Sequence, residues 1–141
     1  MLTATNISAA EVGQIEKLPE NTVLINFNNS YSDLFKLKLD RNDTDNILTL
    51  VVDDITGPTK LSNGTVLSLF DEGAALTILN FINLNKDKNF IINCHAGISR
   101  SSAVCLYLNM IYGHELKPRF WEISEPNAFI IGSLIKERFR R

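Results

Sequence analysis

The chain has 141 residues, of which 45% are hydrophobic and 21% charged, and its formal net charge is -2. This composition is typical of one globular domain over residues 1–141, and it argues against a disordered chain and against a strongly basic nucleic-acid-binding protein. The apolar runs fall short of the roughly 20 residues of a membrane span, and no signal-peptide pattern opens the chain. We therefore expect a cytoplasmic protein, monomeric by default, that binds neither membrane nor nucleic acid.

The first half of the chain predicts one short helix and three strands. Ser8 and Glu11 form a capping-box pattern, and apolar residues at helical spacing follow until Pro19. Segments rich in β-branched and apolar residues, bounded by Asn, Asp or Gly, predict strands at 22–27 and 47–52. The alternating sequence FKLKL at 35–39 predicts an edge strand.

The second half alternates helices with one buried strand. A broad apolar stripe predicts a helix over 68–84, FIIN at 90–93 predicts a short strand, and a further helix is predicted at 101–112. Gly113 is the expected end of that helix. The remaining predicted helices are a short one at 117–123 and a last one opened by Pro126 and capped by Asn127. This alternation indicates an α/β fold with a mostly parallel central sheet flanked by helices.

Two cysteines, Cys94 and Cys105, allow at most one disulfide, a pattern typical of a reducing compartment. Cys105 lies in the apolar helix predicted at 101–112 and is expected to pack as a small buried hydrophobe. His114 follows the end of the same helix and is expected to be exposed to solvent. Cys94 differs from both, because it directly follows the buried strand at 90–93.

The segment CHAGISRS, residues 94–101, joins that strand to the next helix. In parallel sheets, ligands bind beyond the carboxyl ends of the strands, where such loops present their backbone amides. Gly97 allows a tight turn that points several N–H groups at one centre, and Arg100 adds a planar fork of donors. The following helix contributes its positive end. These features predict a site for a tetrahedral dianion such as phosphate, and the same field would lower the pKa of Cys94.

The segment resembles the Cys-x5-Arg-Ser/Thr signature of cysteine-dependent protein tyrosine phosphatases, and it is most similar to their compact, dual-specificity-like branch of the bacterial or phage type. The likeness extends through LVVDDI, SLFDEGAALTILNFI and PNAFIIGSLI, over about residues 48–135. It implies a protein-tyrosine-phosphatase-like fold. It also implies hydrolysis of phosphotyrosine in a protein or peptide, with phosphoserine and phosphothreonine left open as further substrates.

The family mechanism, carried over by position, assigns roles within the segment. Cys94 would be the nucleophile that forms a phosphocysteine, and Ser101 would stabilise the departing thiolate. Arg100 and the loop amides would hold the phosphoryl oxygens. The phosphate-binding residues implied in this way are His95, Ala96, Gly97, Ile98, Ser99 and Arg100. The resemblance implies no metal and no organic cofactor.

The mechanism also requires an acid that protonates the leaving oxygen, and in the family an aspartate upstream of the cysteine has this role. Asp54 is the first candidate and Asp53 its rival, because both lie at the end of a predicted strand, whose alternation turns them to opposite sides. Asp71 and Glu72 are expected to be first-turn acids of the next helix. For His95, contact with the substrate and simple exposure are left open.

One departure from the family lies directly before the nucleophile, where Asn93 stands in place of the usual histidine. That histidine helps to order the loop and to tune the thiolate. A catalytically weak or inactive phosphate-binding module is therefore the alternative function. A sulfur-transfer or arsenate-reducing enzyme is a third hypothesis, disfavoured because related reductases carry the loop near the amino terminus. The absence of lysine from CHAGISR disfavours phosphoinositide substrates.

Overall fold

A parallel sheet organises the protein, as seen in a computed structural model that describes residues 1–30, 38–39, 43–117 and 125–140. Its strands in chain order are β1 (Thr3–Ser8), β2 (Thr22–Asn28), β3 (Ile47–Val51), β4 (Asn89–Cys94) and β5 (Glu115–Leu116). Their order in space is β3-β2-β4-β1-β5. Strand β4, which ends at Cys94, therefore lies in the middle of the sheet.

Helices cover both faces of this sheet. They are α1 (Ala9–Val12), α2 (Glu72–Leu84), α3 (Arg100–Tyr112) and α4 (Ala128–Arg140). The main core joins α2, α3 and α4 to one face, and a smaller cluster around Val12, Leu24 and Ile47 covers the other. Each fully buried aliphatic or aromatic side chain stabilises the fold by about 1.5–3 kcal/mol. The predicted α/β architecture, with a parallel sheet flanked by helices, is confirmed.

Strand register brings the carboxyl ends of the central strands to one edge of the sheet. Ser8 of β1 lies beside Cys94 of β4, and Asn26 of β2 lies beside Asn93. The chain segments that leave these strands therefore meet around Cys94, as expected for a parallel sheet.

The elements nearest Cys94 match the sequence predictions closely. The three strands predicted at 22–27, 47–52 and 90–93 are present, each within one residue at either end. Helix α3 ends at Tyr112 as predicted, and Gly113 adopts the left-handed conformation with φ of 74°. Asn127 caps α4 as predicted, because its Oδ1 accepts a hydrogen bond of 3.0 Å from the Ile130 N–H.

Strands β1 and β5 were not predicted. The sequence of β1, TATNIS, has little apolar signal, and the strand is stabilised by pairing with both β4 and β5 rather than by its own propensity. Strand β5 has two residues, too few for any pattern. The edge strand predicted at 35–39 lies outside the described residues except for Lys38 and Leu39, and the helix predicted at 117–123 lies outside them except for Lys117.

Two helix boundaries differ from the predictions. The capping box of Ser8 and Glu11 is confirmed, with both hydrogen bonds at 3.1 Å, but α1 ends at Val12 instead of continuing towards Pro19. The later apolar residues pack into the smaller core without helical structure. Helix α2 begins at Glu72 rather than at 68, because Asp71 provides its cap and accepts a 2.8 Å hydrogen bond from Ala74 N–H.

The prediction that His114 is exposed is wrong. The side chain is buried, its Nε2 lies 2.9 Å from the carbonyl oxygen of Lys88, and its ring packs edge-on against Phe90 and Tyr112. Burial follows from the unpredicted strand β5, which brings the chain after Gly113 back beside β1.

Within the described ranges, every helix falls short of the length and apolarity that crossing a membrane requires.

Candidate active site

Cys94 is a buried thiol at the point where β4 passes into the loop before α3. Its Sγ lies 3.3 Å from the Ser101 Oγ, in the first turn of that helix. Burial acts to raise the pKa of Cys94, but hydrogen bonds from the Ser101 hydroxyl and from the backbone N–H of Ser101 and Gly97, together with the Arg100 charge, hold it below its ordinary value. The arrangement therefore favours a thiolate, the nucleophilic form of cysteine.

The loop after Cys94 rests on β1 and the start of α1. Gly97 has a φ of 76°, and a Cβ there would lie 2.6 to 2.8 Å from backbone atoms of Ile7 and Ser8. The side-chain amide of Asn6 donates a 2.7 Å hydrogen bond to the Gly97 carbonyl oxygen. The carbonyl of His95 accepts a 3.1 Å hydrogen bond from the N–H of Ala9. The loop therefore requires glycine both for its backbone conformation and for its close approach to β1.

Replacing Gly97 with alanine is expected to lower the thermal midpoint of unfolding and to abolish the oxyanion binding that the sequence predicts, since the loop must move off β1 to admit the methyl group. The left-handed conformation adds a strain of about 1–2 kcal/mol. Gly113→Ala is the matched control, because Gly113 has nearly the same φ with no atom within 4 Å of the added Cβ. The Gly113→Ala variant should have its thermal midpoint lowered only by the conformational strain, and its tungstate binding should be unchanged. Equal thermal shifts, with tungstate binding retained in both variants by calorimetry, would contradict this account.

Arg100 is a buried guanidinium with two fixed acceptors. Its NH1 donates to the Asn29 Oδ1 at 2.6 Å and to the Val52 carbonyl oxygen at 2.7 Å. Its Nε makes no hydrogen bond within the part of the chain that the structure describes. A buried donor without a hydrogen-bond acceptor destabilises the fold, and a phosphate oxygen is a favourable acceptor for a guanidinium.

A pocket of about 440 Å³ opens at this edge of the sheet, and its lining includes Cys94, Arg100 and both candidate acids, Asp53 and Asp54. A larger cavity of about 570 Å³ lies at the opposite ends of β2 and β3. Its described lining contains neither cysteine nor arginine. We place the candidate site in the smaller pocket, because its described lining brings a nucleophile, a cation and carboxylates together, whereas that of the larger cavity has no cysteine.

Asp54 is exposed, and its carboxylate reaches the loop that follows Cys94. Its Oδ1 accepts hydrogen bonds of 2.9 Å from the Ser99 hydroxyl and from the Asn127 side-chain amide. The same amide donates to the Ile55 carbonyl oxygen at 3.1 Å. Asn127 therefore caps α4 and also holds the carboxylate of Asp54 beside the loop.

The Asp53 side chain is buried and contacts a different set of residues from Asp54. Its carboxylate accepts hydrogen bonds from the Ser30 N–H at 2.9 Å, from the Ser30 hydroxyl, and from the Ser68 N–H at 2.6 Å. Burial acts to raise the pKa of Asp53, but these hydrogen bonds and the Arg100 charge hold it below its usual value. Asp53 is thus suited to remain a carboxylate, whereas the exposed Asp54 is accessible from the pocket.

The remaining candidates have different surroundings. His95 and Ala96 are exposed, and Ile98 and Ser99 are partly buried. Cys105 is fully buried, as predicted. Burial raises the pKa of its thiol, and the charge of the nearby Cys94 raises it further. Asn93 is buried, and its Oδ1 makes no hydrogen bond among the described residues.

Sequence reasoning did not find Asn6, Asn29 or Ser30. Asn6 gave no signal because β1 was not predicted. Asn29 and Ser30 follow a predicted strand, so their place at the carboxyl edge of a parallel sheet was an available indication. Their contacts with Arg100 and Asp53 were not readable, because those partners lie 71 and 23 residues away along the chain.

Comparison with known proteins leaves the function to be argued from this geometry: no protein-family model matches the chain, and no curated protein sequence matches it.

Proposed function

We propose that the protein is a cysteine-dependent phosphatase with a protein-tyrosine-phosphatase-like fold, and that it hydrolyses phosphotyrosine in proteins or peptides. The observation that carries the proposal is one pocket holding the Cys94 thiol, the Arg100 guanidinium and the exposed Asp54 carboxylate. The depressed pKa of Cys94 supports a nucleophilic role, as does its place between a buried strand and a helix amino terminus.

In the first step, the Cys94 thiolate attacks phosphorus while the ester bond to the tyrosyl oxygen breaks. Asp54 donates a proton to that oxygen, so the product leaves as a neutral phenol. Arg100 and the loop amides hold the three remaining phosphoryl oxygens. The products of this step are a phosphocysteine and a deprotonated Asp54.

In the second step, water attacks the phosphocysteine and the carboxylate of Asp54 accepts a proton from that water. The sulfur–phosphorus bond breaks, inorganic phosphate forms, and Cys94 departs as a thiolate. The Ser101 hydroxyl, 3.3 Å from the sulfur, stabilises that thiolate by a hydrogen bond. The carboxyl group of Asp54 is again protonated and ready for the next substrate.

The lining of the pocket favours an aryl phosphate with a single charged group. Ile55, Leu67 and Ile98 supply apolar surface that suits an aromatic ring. The exposed carboxylates of Asp54 and Glu125 lie at the same pocket, and its described lining contains no lysine. A substrate with further phosphate groups would meet these carboxylates and be repelled, so polyphosphorylated lipids are disfavoured.

The second candidate function is a phosphate-binding module of the same fold that does not turn its ligand over. Asn93 favours the binding module, because this buried amide lies at the position where the tyrosine phosphatases that the sequence resembles have an ionisable histidine. A turnover assay on phosphotyrosine, phosphoserine, RNA 5′-phosphate and lipid substrates separates the two functions. Turnover of the phosphotyrosine substrate is the expected result, and binding of phosphate analogues with no turnover of any substrate would favour the module.

Replacing Asp54 with asparagine is expected to slow turnover of phosphotyrosine by about a hundredfold, the usual size of a general-acid contribution. Activated aryl phosphates should lose less, because their leaving groups depart without a proton. The alkaline limb of the pH–rate profile should flatten, since the group that must be protonated has been removed. The measurement is kcat/KM on both substrate types between acid and alkaline pH.

Asp53→Asn is the matched control, one residue away with the same change of charge. It should not show the selective loss on poor leaving groups. A selective loss in Asp53→Asn and none in Asp54→Asn would assign the acid to Asp53. If neither variant slows turnover selectively and Asp71→Asn is equally silent, the general-acid step proposed here is refuted.

A further inference from the structure

We propose that Asp53 is a positioning residue that holds the Arg100 guanidinium in place for oxyanion binding, acting through Asn29 and Val52. The inference rests on the proposed function, in which Arg100 binds the phosphoryl group. It gives Asp53 a role distinct from that of the proton donor, and it brings Asn29 and Ser30 into the site as parts of the same arrangement.

The position of Arg100 depends on two acceptors from different strands. Asn29 directly follows β2, and Val52 directly follows β3. Both accept a hydrogen bond from NH1, at 2.6 and 2.7 Å. The positions of these two acceptors therefore fix the orientation of the Arg100 guanidinium. The Nε is buried and has no hydrogen-bond partner within the described ranges.

Asp53 joins the two residues that follow these acceptors in the chain. Ser30 comes after Asn29, and Asp53 itself comes after Val52. The Ser30 N–H and hydroxyl both donate to the Asp53 carboxylate, so the two acceptor-bearing segments are linked immediately beside the guanidinium. These residues form a closed ring. Asn29 is bonded to Ser30 and Val52 to Asp53 along the chain, hydrogen bonds join Ser30 to Asp53, and NH1 of Arg100 joins Asn29 to Val52.

A carboxylate suits this position better than an amide. Its two oxygens accept from three donors, two of Ser30 and the N–H of Ser68. An asparagine would turn its own NH2 group towards at least one of these donors and lose that hydrogen bond. The negative charge also attracts the buried Arg100, which otherwise has only neutral acceptors among the contacts described above. Asp53 therefore contributes geometry and charge together.

The test measures the dissociation constant of tungstate, a tetrahedral phosphate analogue, by calorimetry. Asp53→Asn and Asn29→Ala are each expected to weaken binding by about tenfold, the size of one hydrogen bond to a charged group. Because both act on the same guanidinium, the double variant should bind little worse than either single one. Asp54→Asn provides the contrast, since it should slow turnover without weakening tungstate binding.

Turnover gives a second readout, which separates a role in phosphate binding from a role as proton donor. The loss of kcat/KM in Asp53→Asn should be the same on phosphotyrosine and on an activated aryl phosphate, because phosphate binding is equally impaired for both. A loss that increases for the poorer leaving group would make Asp53 the proton donor and overturn the inference. Tungstate affinities that are unchanged, or losses that multiply in the double variant, would overturn it as well.

Ser30→Ala keeps the inference testable if Asp53→Asn does not fold. Ser30 is exposed, and its hydroxyl supplies one of the three hydrogen bonds to Asp53, so a loss of about threefold in tungstate affinity is expected. If the unmodified protein binds tungstate and turns substrate over while Asn29→Ala and Ser30→Ala bind normally, only this inference fails. If the unmodified protein binds no tungstate, the proposed function fails and this inference fails with it.

Discussion

Replacing Cys94 with serine is expected to lower kcat by at least about a thousandfold while leaving tungstate binding in place. A neutral hydroxyl is a far weaker nucleophile than a thiolate, and the surroundings of Cys94 hold the pKa of its thiol below the ordinary value. In the proposed mechanism the oxyanion contacts come from Arg100 and the loop amides, which the substitution does not remove. The measurements are steady-state turnover of an aryl phosphate and calorimetric binding of tungstate.

Cys105→Ala is the control for this substitution, because Cys105 is the other cysteine of the chain and is fully buried in α3. It should retain turnover close to that of the unmodified protein, with a modest loss of stability from the smaller side chain. Turnover that survives in Cys94→Ser, or that disappears in a folded Cys105→Ala, would refute the assignment of the nucleophile.

Replacing Arg100 with lysine is expected to lower kcat/KM by about a hundredfold and to weaken tungstate binding as well. A guanidinium can hold its two structural acceptors with one nitrogen and still offer other donors to the phosphoryl group. An ammonium on a flexible chain cannot satisfy both sets at once, and each lost charged hydrogen bond costs about 1.5–3 kcal/mol. The measurements are steady-state turnover of an aryl phosphate and tungstate calorimetry.

Arg138→Lys is the matched control on the surface. Arg138 donates to the Tyr112 hydroxyl at 3.2 Å and its guanidinium lies over the Tyr112 ring, and it is not part of the pocket lining. The substitution should leave kcat/KM unchanged. A kinetically ordinary Arg100→Lys variant would mean that this guanidinium serves the fold and not the ligand.

The central unit of the fold could be predicted from the sequence because its signals are local. A run of apolar residues ends at Cys94, one glycine allows the turn, and α3 follows at once and ends at Gly113. These features depend on residues that are neighbours in the chain. Asp53 is buried and Asp54 is exposed, so the two acids do differ, but alternation along 47–52 does not explain the difference, because Val52 and Asp53 are buried in succession.

The supports of the site could not be predicted because they depend on distant pairing. Asn6 holds the loop through Gly97, 91 residues away, and it lies in a polar strand that becomes stable only between its neighbours. Asn29 reaches Arg100 across 71 residues. The burial of His114 could not be predicted for the same reason, because it depends on the pairing of β5 with β1.

The most direct test of the account is detection of the covalent intermediate. The protein is mixed with an activated aryl phosphate, quenched during the first turnover, and mapped by mass spectrometry of its peptides. The proposed mechanism predicts one phosphoryl group on the peptide containing Cys94, together with an initial burst of aryl alcohol close to one per protein molecule. Continued turnover with no phosphoryl group on Cys94, or with the group on another residue, would contradict the account.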